Sequence, residues 1–300
     1  MTTRPLASLC VITYNQEKFV AEAVKAALSQ SYRPLEVILS DDASSDDTFK
    51  IMSTLEKQYD GDLKIVLNRN KSNLGLACHV NKLIHSVASG EFIALAAGDD
   101  VSMSDRIEKS ISFLEHNPAV MAVSTSLTTI DHAGSVIKTT TNTCNKTTTY
   151  TLDDYLTDAQ LHINGPSRTF RRVIPETFGP LGESCPTEDS TYLLRCFLSG
   201  KVAMLAEQLV HYRQHDASMS APCNIQNLSV NSIQEQYLKD IATAETRLGL
   251  DIETRNKLLK RIERNIQNRK HAFRHKKRRG MQFLSWLANK LHRITSKKNH

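Results

Sequence analysis

Three hundred residues, 40% hydrophobic and 23% charged, are enough for one large α/β domain with an appendage or for two modest domains, and they exclude a fibrous or wholly disordered chain. The formal net charge of +6 is unevenly spread: residues 251–300 hold 16 Lys or Arg against 3 Asp or Glu, a net +13, whereas the first 250 residues hold 22 against 29, a net −7. A mildly acidic body therefore carries a basic tail, which can attract an anionic membrane, nucleic acid or an acidic partner, or stand solvated with none.

From the N-terminus, strand-like apolar runs alternate with helical patterns. Leu6–Thr13 reads as a strand, Glu17–Gln30 as an amphipathic helix, Leu35–Leu39 as a strand and Asp46–Tyr59 as a helix. Leu63–Leu67 and Phe92–Ala97 are further strands, separated by a helix over Gly75–Ser89 and followed by one over Ser104–His116. Ala119–Ile130 is a longer strand. Strands joined by helices predict right-handed βαβ units and a mostly parallel, doubly wound sheet flanked by helices.

The pattern changes after Asp131. Residues 138–150, rich in Thr and Asn, read as a loop; short strands near Arg168–Val173 and Val202–Val210 flank a helix starting near Glu188. From Asn224 the chain reads as helical up to a basic run, Arg269–Arg279, and an amphipathic segment, Met281–Ile294, carrying Phe283, Trp286 and several leucines. The expected division is a domain over 1–220 and a helical, basic C-terminal extension over 221–300. Six cysteines without a CxxC pair predict free thiols and a reducing compartment. The start, Met-Thr-Thr-Arg-Pro, lacks the apolar core of a signal peptide, and no apolar run is long enough to span a bilayer, so the expected location is cytoplasmic.

Ligands of doubly wound sheets bind beyond the carboxyl ends of the strands. Three polar clusters fall at such ends: Thr13-Tyr14-Asn15, Asp41-Asp42 and Asp99-Asp100. Two adjacent carboxylates leaving a buried strand need a compensating cation or donors. A divalent cation sharing its positions with substrate phosphate would serve; the plainer alternative is that Asp99 and Asp100 cap the next helix, although Ser104 can do that itself. Ser44, Ser45, Asp46 and Asp47 read as a helix start. Asp41 and Asp42 precede it, and a carboxylate there can accept a hydrogen bond from the ring N–H of a base while Tyr14 stacks nearby.

These residues form a recognisable series. Ser8-Leu-Cys-Val-Ile-Thr-Tyr-Asn15 and the run from Leu28 through Asp41-Asp42-Ala-Ser-Ser-Asp-Asp-Thr48 resemble the opening of family-2 glycosyltransferases of GT-A fold. The resemblance continues through Asn73-Leu-Gly75, Gly90-Glu-Phe-Ile93, Gly98-Asp99-Asp100, Ser104-Asp-Arg-Ile107, Thr187-Glu-Asp-Ser-Thr-Tyr-Leu-Leu-Arg195 and Tyr212-Arg-Gln-His215, covering roughly residues 6–218. It implies that Thr13, Tyr14, Asn15 and Glu17 line a nucleotide site, that Asp42 reads the base, and that Asp99 contacts the ribose or assists at a metal. Asp100 would bind Mn²⁺ or Mg²⁺ bridging a diphosphate, and Asp189 would be the general base on the acceptor hydroxyl. Arg213 or His215 could steady the diphosphate, His215 could complete the metal site, or both could be structural.

The implied function is inverting transfer of a sugar from a nucleotide-diphosphate donor, with uridine the favoured base, to a glycan or lipid-linked acceptor in surface polysaccharide synthesis. Residues 269–294 fit an anionic membrane surface, giving peripheral attachment on its inner face. Nucleic acid is disfavoured, because no zinc finger or RNA-recognition aromatic motif accompanies the basic run. The turn after the first strand, Thr-Tyr-Asn-Gln-Glu, is not the Gly-rich turn of a Rossmann oxidoreductase, and no P-loop is present. The remaining alternative is a GT-A-fold binding protein without catalysis; retention of Asp42, Asp99, Asp100 and Asp189 together argues against it.

Overall fold

The computed structural model describes residues 4–140, 146–157, 161–216, 218 and 228–268. β1 (Ala7–Thr13) is buried except at half-buried Ile12, and β2 (Leu35–Asp41) is buried throughout. Such runs, apolar on both faces, are what the centre of a parallel sheet requires. α1 (Val20–Leu28) links β1 to β2, and α2 (Thr48–Gln58) links β2 to β3 (Lys64–Arg69). α3 (Leu76–Lys82), prolonged by a π-helical turn at Leu83–Val87, leads to β4 (Phe92–Ala97). β1 pairs in parallel with β2 and β4, and β2 with β3.

Next come β5 (Val101–Ser102), α4 (Arg106–His116), β6 (Val120–Ile130), β7 (Val136–Thr140), β8 (Thr148–Tyr150) and α5 (Leu152–Leu156). β9 (Thr169–Arg171), α6 (Val173–Phe178), α7 (Glu188–Ser199) and β10 (Lys201–Arg213) follow. The sheet runs β3-β2-β1-β4-β9-β6-β10-β5, with β7 on β6 and β8 on β10. β9 lies antiparallel between β4 and β6, and β10 is parallel to β6. The carboxyl ends of β1, β2, β4, β6 and β10 therefore share one edge.

Alternation along the strands divides two cores. Leu9 and Val11 face α1, α2 and α4, whereas Cys10 faces α3, α6 and α7. The second core also takes Ile241 and Ala244 from α8 (Val230–Leu248) and Leu258, Ile262 and Ile266 from α9, the helix over 252–268. Over these residues the C-terminal helices are part of the main core. A fully buried ion pair, Arg195 to Asp240 at 2.8 Å, joins α7 to α8. Gln236 Oε1 accepts from Gly182 N at 2.7 Å beside it.

Several local expectations change. β5, α5 and α6 have no counterpart in the sequence reading, and part of the expected 138–150 loop is β7 and β8. Each is short: β5, β7 and β8 are ordered by pairing with β10 and β6, α5 starts on a Thr151–Asp154 capping box, and α6 packs on neighbouring helices. Ser104 does not cap α4: the N-cap is Asp105, without a side-chain bond, and Ser104 O instead accepts from Ser31 N at 2.8 Å. Ser44 does not cap α2 either; its hydroxyl donates to Asp41, while Asp46 Oδ1 accepts from Thr48 N at 3.0 Å. Among the described residues no helix is long and apolar enough to cross a membrane. The basic run and the amphipathic segment at 269–294 lie outside the described residues, as do Cys144 and Cys223; Cys10, Cys78, Cys185 and Cys196 are free thiols.

Candidate active site

At the end of β1, Thr13 Oγ1 donates to Ser40 O at 3.0 Å, fixing the two strand ends together. The chain then turns through Asn15, whose φ of 51° is left-handed, a conformation Asn tolerates better than most residues. Asn15 Oδ1 accepts from Ser45 N at 2.9 Å, Asn15 N donates to Ser44 Oγ at 2.8 Å, and the Glu17 carboxylate accepts from Asp47 N at 3.0 Å. The loops after β1 and β2 are thus clasped to each other. Within that clasp Tyr14 is 48% exposed, its ring free to meet a ligand.

Asp42 is 3% exposed and deeply engaged. Its Oδ1 accepts from Asn70 Nδ2 at 2.7 Å and Leu74 N at 2.9 Å, and its Oδ2 accepts from Gly75 N at 3.0 Å. A carboxylate offers about four acceptor positions, so roughly one remains for a ligand N–H. Lys82 Nζ bonds Asn70 Oδ1 at 2.7 Å behind it. The segment 70–75, which includes Asn73-Leu-Gly75 of the family resemblance, is in this way tied to Asp42.

The turn between β4 and β5 carries the other acid pair. Gly98 allows it: a Cβ there would stand 2.5 Å from both Gln16 Oε1 and Thr13 Cγ2. Gln16 Oε1 is buried with no donor among the described residues, so a ligand hydroxyl or cation can bond there. Asp100 Oδ1 accepts from Arg213 N at 2.9 Å, and Asp99 Oδ2 lies 2.9 Å from His215 Nε2. Burial, with the neighbouring Asp99 charge, pushes the Asp100 carboxyl up to about 8, against the opposing pull of the Arg213 N–H and the Arg106 and Arg213 charges. Arg106 lies fully buried, donating to Leu95 O at 2.8 Å and Ser102 Oγ at 2.9 Å, and burial lowers it to about 10.

Arg213 spends its guanidinium on the protein itself. Nε donates to Asp99 O at 2.9 Å, Nη1 to Asp131 O at 3.1 Å and Nη2 to Glu22 Oε2 at 2.6 Å, with the plane 5.0 Å from the Phe19 ring. The His215 ring packs on Phe19 at 4.6 Å. Phe19 and Glu22 belong to the site by contact alone, and no motif spacing marks them; Arg106 falls within Ser104-Asp-Arg-Ile107, with no role assigned to it from the sequence. Two adjacent carboxylates, one buried, with an imidazole beside the outer one and an orphaned amide oxygen close by, suit a hard divalent cation whose remaining positions go to phosphate and water. Among the described residues they do not form a closed cage of three or more ligands.

Asp189 reaches the same edge from another element. α7 precedes parallel β10, and a Cβ on Gly200 at its C-terminal end would meet Ala119 O, at the start of β6, at 2.7 Å. The N-terminus of α7 therefore points toward the carboxyl ends of the strands. There Asp189 is exposed, while half-buried Glu188 is pushed up to about 7 by burial and by Asp189. Arg168, 5% exposed, donates Nη1 to Asp189 O.

The pattern of the family described as Glycosyl transferase family 2 matches residues 8–177, more than half of the chain. EpsE of Bacillus subtilis (strain 168), assigned as a glycosyltransferase, is 37% identical over 134 residues, 45% of this chain and 47% of EpsE. WfaP of Escherichia coli, a UDP-Glc:alpha-D-GlcNAc-diphosphoundecaprenol beta-1,3-glucosyltransferase, is 32% identical over 110 residues, 37% of this chain and 41% of WfaP. The match thus spans under half the length of each of these relatives. The mannosyltransferase PcManGT from Pyrobaculum calidifontis, solved with GDP-Man and Mn²⁺, aligns with 86% of this chain and 75% of its own at a TM-score of 0.57 and 20% identity, a likeness of fold. By sequence pattern and by its GT-A-type architecture, the chain belongs to glycosyl transferase family 2.

Proposed function

We propose that this chain transfers a glycosyl group, with inversion, from a UDP-sugar to a hydroxyl of a glycan or lipid-linked acceptor used in surface polysaccharide synthesis. The observation that carries the reading is the meeting of the Asp99–Asp100 turn, the Asp42 loop and the α7 terminus bearing Asp189 at one edge of the sheet. UDP and a lipid diphosphate acceptor are named for WfaP, and GDP-Man for PcManGT; the first is preferred because WfaP shows the greater identity.

In this reading Tyr14 stacks on the base, Asp42 accepts its ring N–H, and Thr13, Asn15 and Glu17 shape the loop around it. Asp99 lies at the ribose or beside the ion, and Arg213 holds the turn from behind. A divalent cation, Mn²⁺ or Mg²⁺, held by Asp100 with Asp99 and His215 beside it, would neutralise the diphosphate as it leaves. Asp189 takes the proton from the acceptor hydroxyl, whose oxygen bonds the anomeric carbon as the bond from that carbon to the diphosphate oxygen breaks. The chain works in the cytoplasm, with residues 269–294 touching the inner face of the membrane. Flotation of full-length protein on anionic but not neutral vesicles tests that attachment, and equal recovery on both removes it.

The transfer itself is tested by release of nucleoside diphosphate from a panel of UDP-, GDP- and dTDP-sugars, offered with polyprenyl-diphosphate sugar acceptors. Turnover of a UDP-sugar that disappears in Asp189→Asn and Asp100→Asn is the expected result. Turnover unaffected by Asp189→Asn would remove Asp189 as the base.

A further inference from the structure

Gly165 lies in the segment leading into β9, facing Asp189. A Cβ on residue 165 would overlap Asp189 Oδ2 and stand 3.0 Å from Asp189 Cβ and 3.1 Å from Cγ. The backbone gives no reason for glycine here, since Gly165 is not among the positive-φ residues. What requires it is the neighbouring carboxylate.

The notch is rigid. Asn164 Nδ2 donates to Thr125 O at 2.9 Å, and Ser167 Oγ both donates to Thr125 O at 3.0 Å and accepts from Thr125 N at 2.8 Å, anchoring the segment on β6. Next in the chain, buried Arg168 grips the main-chain oxygen of Asp189. Ser190 N donates to Asp189 Oδ1 at 2.6 Å. One carboxylate oxygen is thus tied to its own helix turn, the other rests over the glycine, and the main chain between them is held by a guanidinium.

We propose that Gly165 and Arg168 are positioning residues for the acceptor base, the side-chain-free notch setting the direction of the Asp189 carboxylate and the guanidinium fixing the backbone beneath it. The inference rests on the reading of Asp189 as that base. A base works only within hydrogen-bond reach of the proton it takes, and a displacement of about 1 Å can cost on the order of 100-fold in rate.

The test is a cycle of Gly165→Ala, Asp189→Ala and the double variant, each measured for Tm, for UDP affinity and for UDP release in the transfer assay. Gly165→Ala is expected to lower kcat on the order of 10- to 100-fold, to leave UDP affinity within about twofold, and to lower Tm. In the Asp189→Ala background the same substitution should cost clearly less Tm, because the carboxylate it strikes is gone and only the 3.0 Å approach to the Cβ of residue 189 remains. This Tm comparison holds even if Gly165→Ala folds poorly. An equal Tm loss in both backgrounds, or near-normal kcat for Gly165→Ala beside an inactive Asp189→Ala, overturns the role of the notch while the base stands. Full activity of Asp189→Ala overturns the base, and the inference with it. For Arg168, Lys should retain more kcat than Met at unchanged UDP affinity; equal loss in the two removes Arg168 from the account.

Discussion

The main-chain N–H of Arg213 donates to Oδ1 of Asp100 at 2.9 Å, while the Arg213 guanidinium passes behind the same turn to Asp99 O at 2.9 Å and Glu22 Oε2 at 2.6 Å. One residue at the end of β10 thereby sets the positions of both acids and ties them to α1. Arg213→Lys keeps the charge but cannot serve these groups at once, and is expected to cost about 2–3 kcal/mol in urea denaturation. Glu22→Gln, at a carboxylate 61% exposed, is expected to cost under about 1 kcal/mol. Equal losses would mean that the buried carbonyl contacts contribute nothing beyond the ion pair.

Ala43, between Asp42 and Ser44, has a φ of 60°. A left-handed alanine is strained, so Ala43→Gly is expected to raise stability by about 0.5–1 kcal/mol, and Ala43→Val to lower it by about 2 kcal/mol. Thermal unfolding of the two variants checks this. A destabilised glycine variant would show that the backbone relaxes elsewhere.

Glu36 is buried at the opposite edge of the sheet, accepting from Ser8 Oγ at 2.6 Å, Ser89 N at 2.6 Å and Lys64 Nζ at 2.9 Å. Burial would raise its carboxyl, but the bonds from Ser8, Ser89 and Lys64 outweigh it and hold it down at about 2. Because the folded value lies below the unfolded one, the stabilisation is complete above about pH 4.5 and is lost as pH falls toward 2. Glu36→Gln is expected to lose about 3 kcal/mol at pH 7, to flatten this acid limb, and to leave UDP affinity unchanged. Urea titrations at pH 7 and pH 3 decide it: the deficit of the variant must shrink at the lower pH.

The Arg195–Asp240 pair, fully buried with bonds of 2.8 and 2.9 Å, fastens α8 to α7. Asp240→Ala leaves the guanidinium uncompensated and is expected to cost about 3–5 kcal/mol, whereas Arg195→Met with Asp240→Leu is expected to cost less than the single change. Chemical denaturation of the three proteins gives the comparison. A double variant worse than Asp240→Ala would assign the loss to packing instead.

The parts legible in the sequence are those where neighbouring residues act together. β1, β2 and β4 are mainly apolar, buried runs, interrupted only near their starts by Ser8 and Glu36, and each is followed or ended by polar residues that mark the sheet edge. The clustering of Thr13, Asp42, Asp99 and Asp100 follows from that register. What was hidden depends on distant residues. Arg213 finds Glu22 across 191 positions and Asp99 across 114, and nothing local in Tyr212-Arg213-Gln214 announces it. β5, two residues long, is ordered by its antiparallel pairing with β10, more than a hundred residues further on. Ser44 is of a residue type that caps helices, yet Asp41 takes its hydroxyl, and at α4 the chain enters the helix one residue later, at Asp105 rather than Ser104.

The measurement that bears most directly on the proposed function is calorimetric titration of UDP into the purified protein, with Mn²⁺ and then with EDTA, for wild type and Asp100→Ala. The account predicts binding that needs the metal and weakens on the order of tenfold or more in the variant, since buried charge at this turn calls for a cation. UDP binding of equal strength with Mn²⁺, with EDTA and without the Asp100 carboxylate would contradict it.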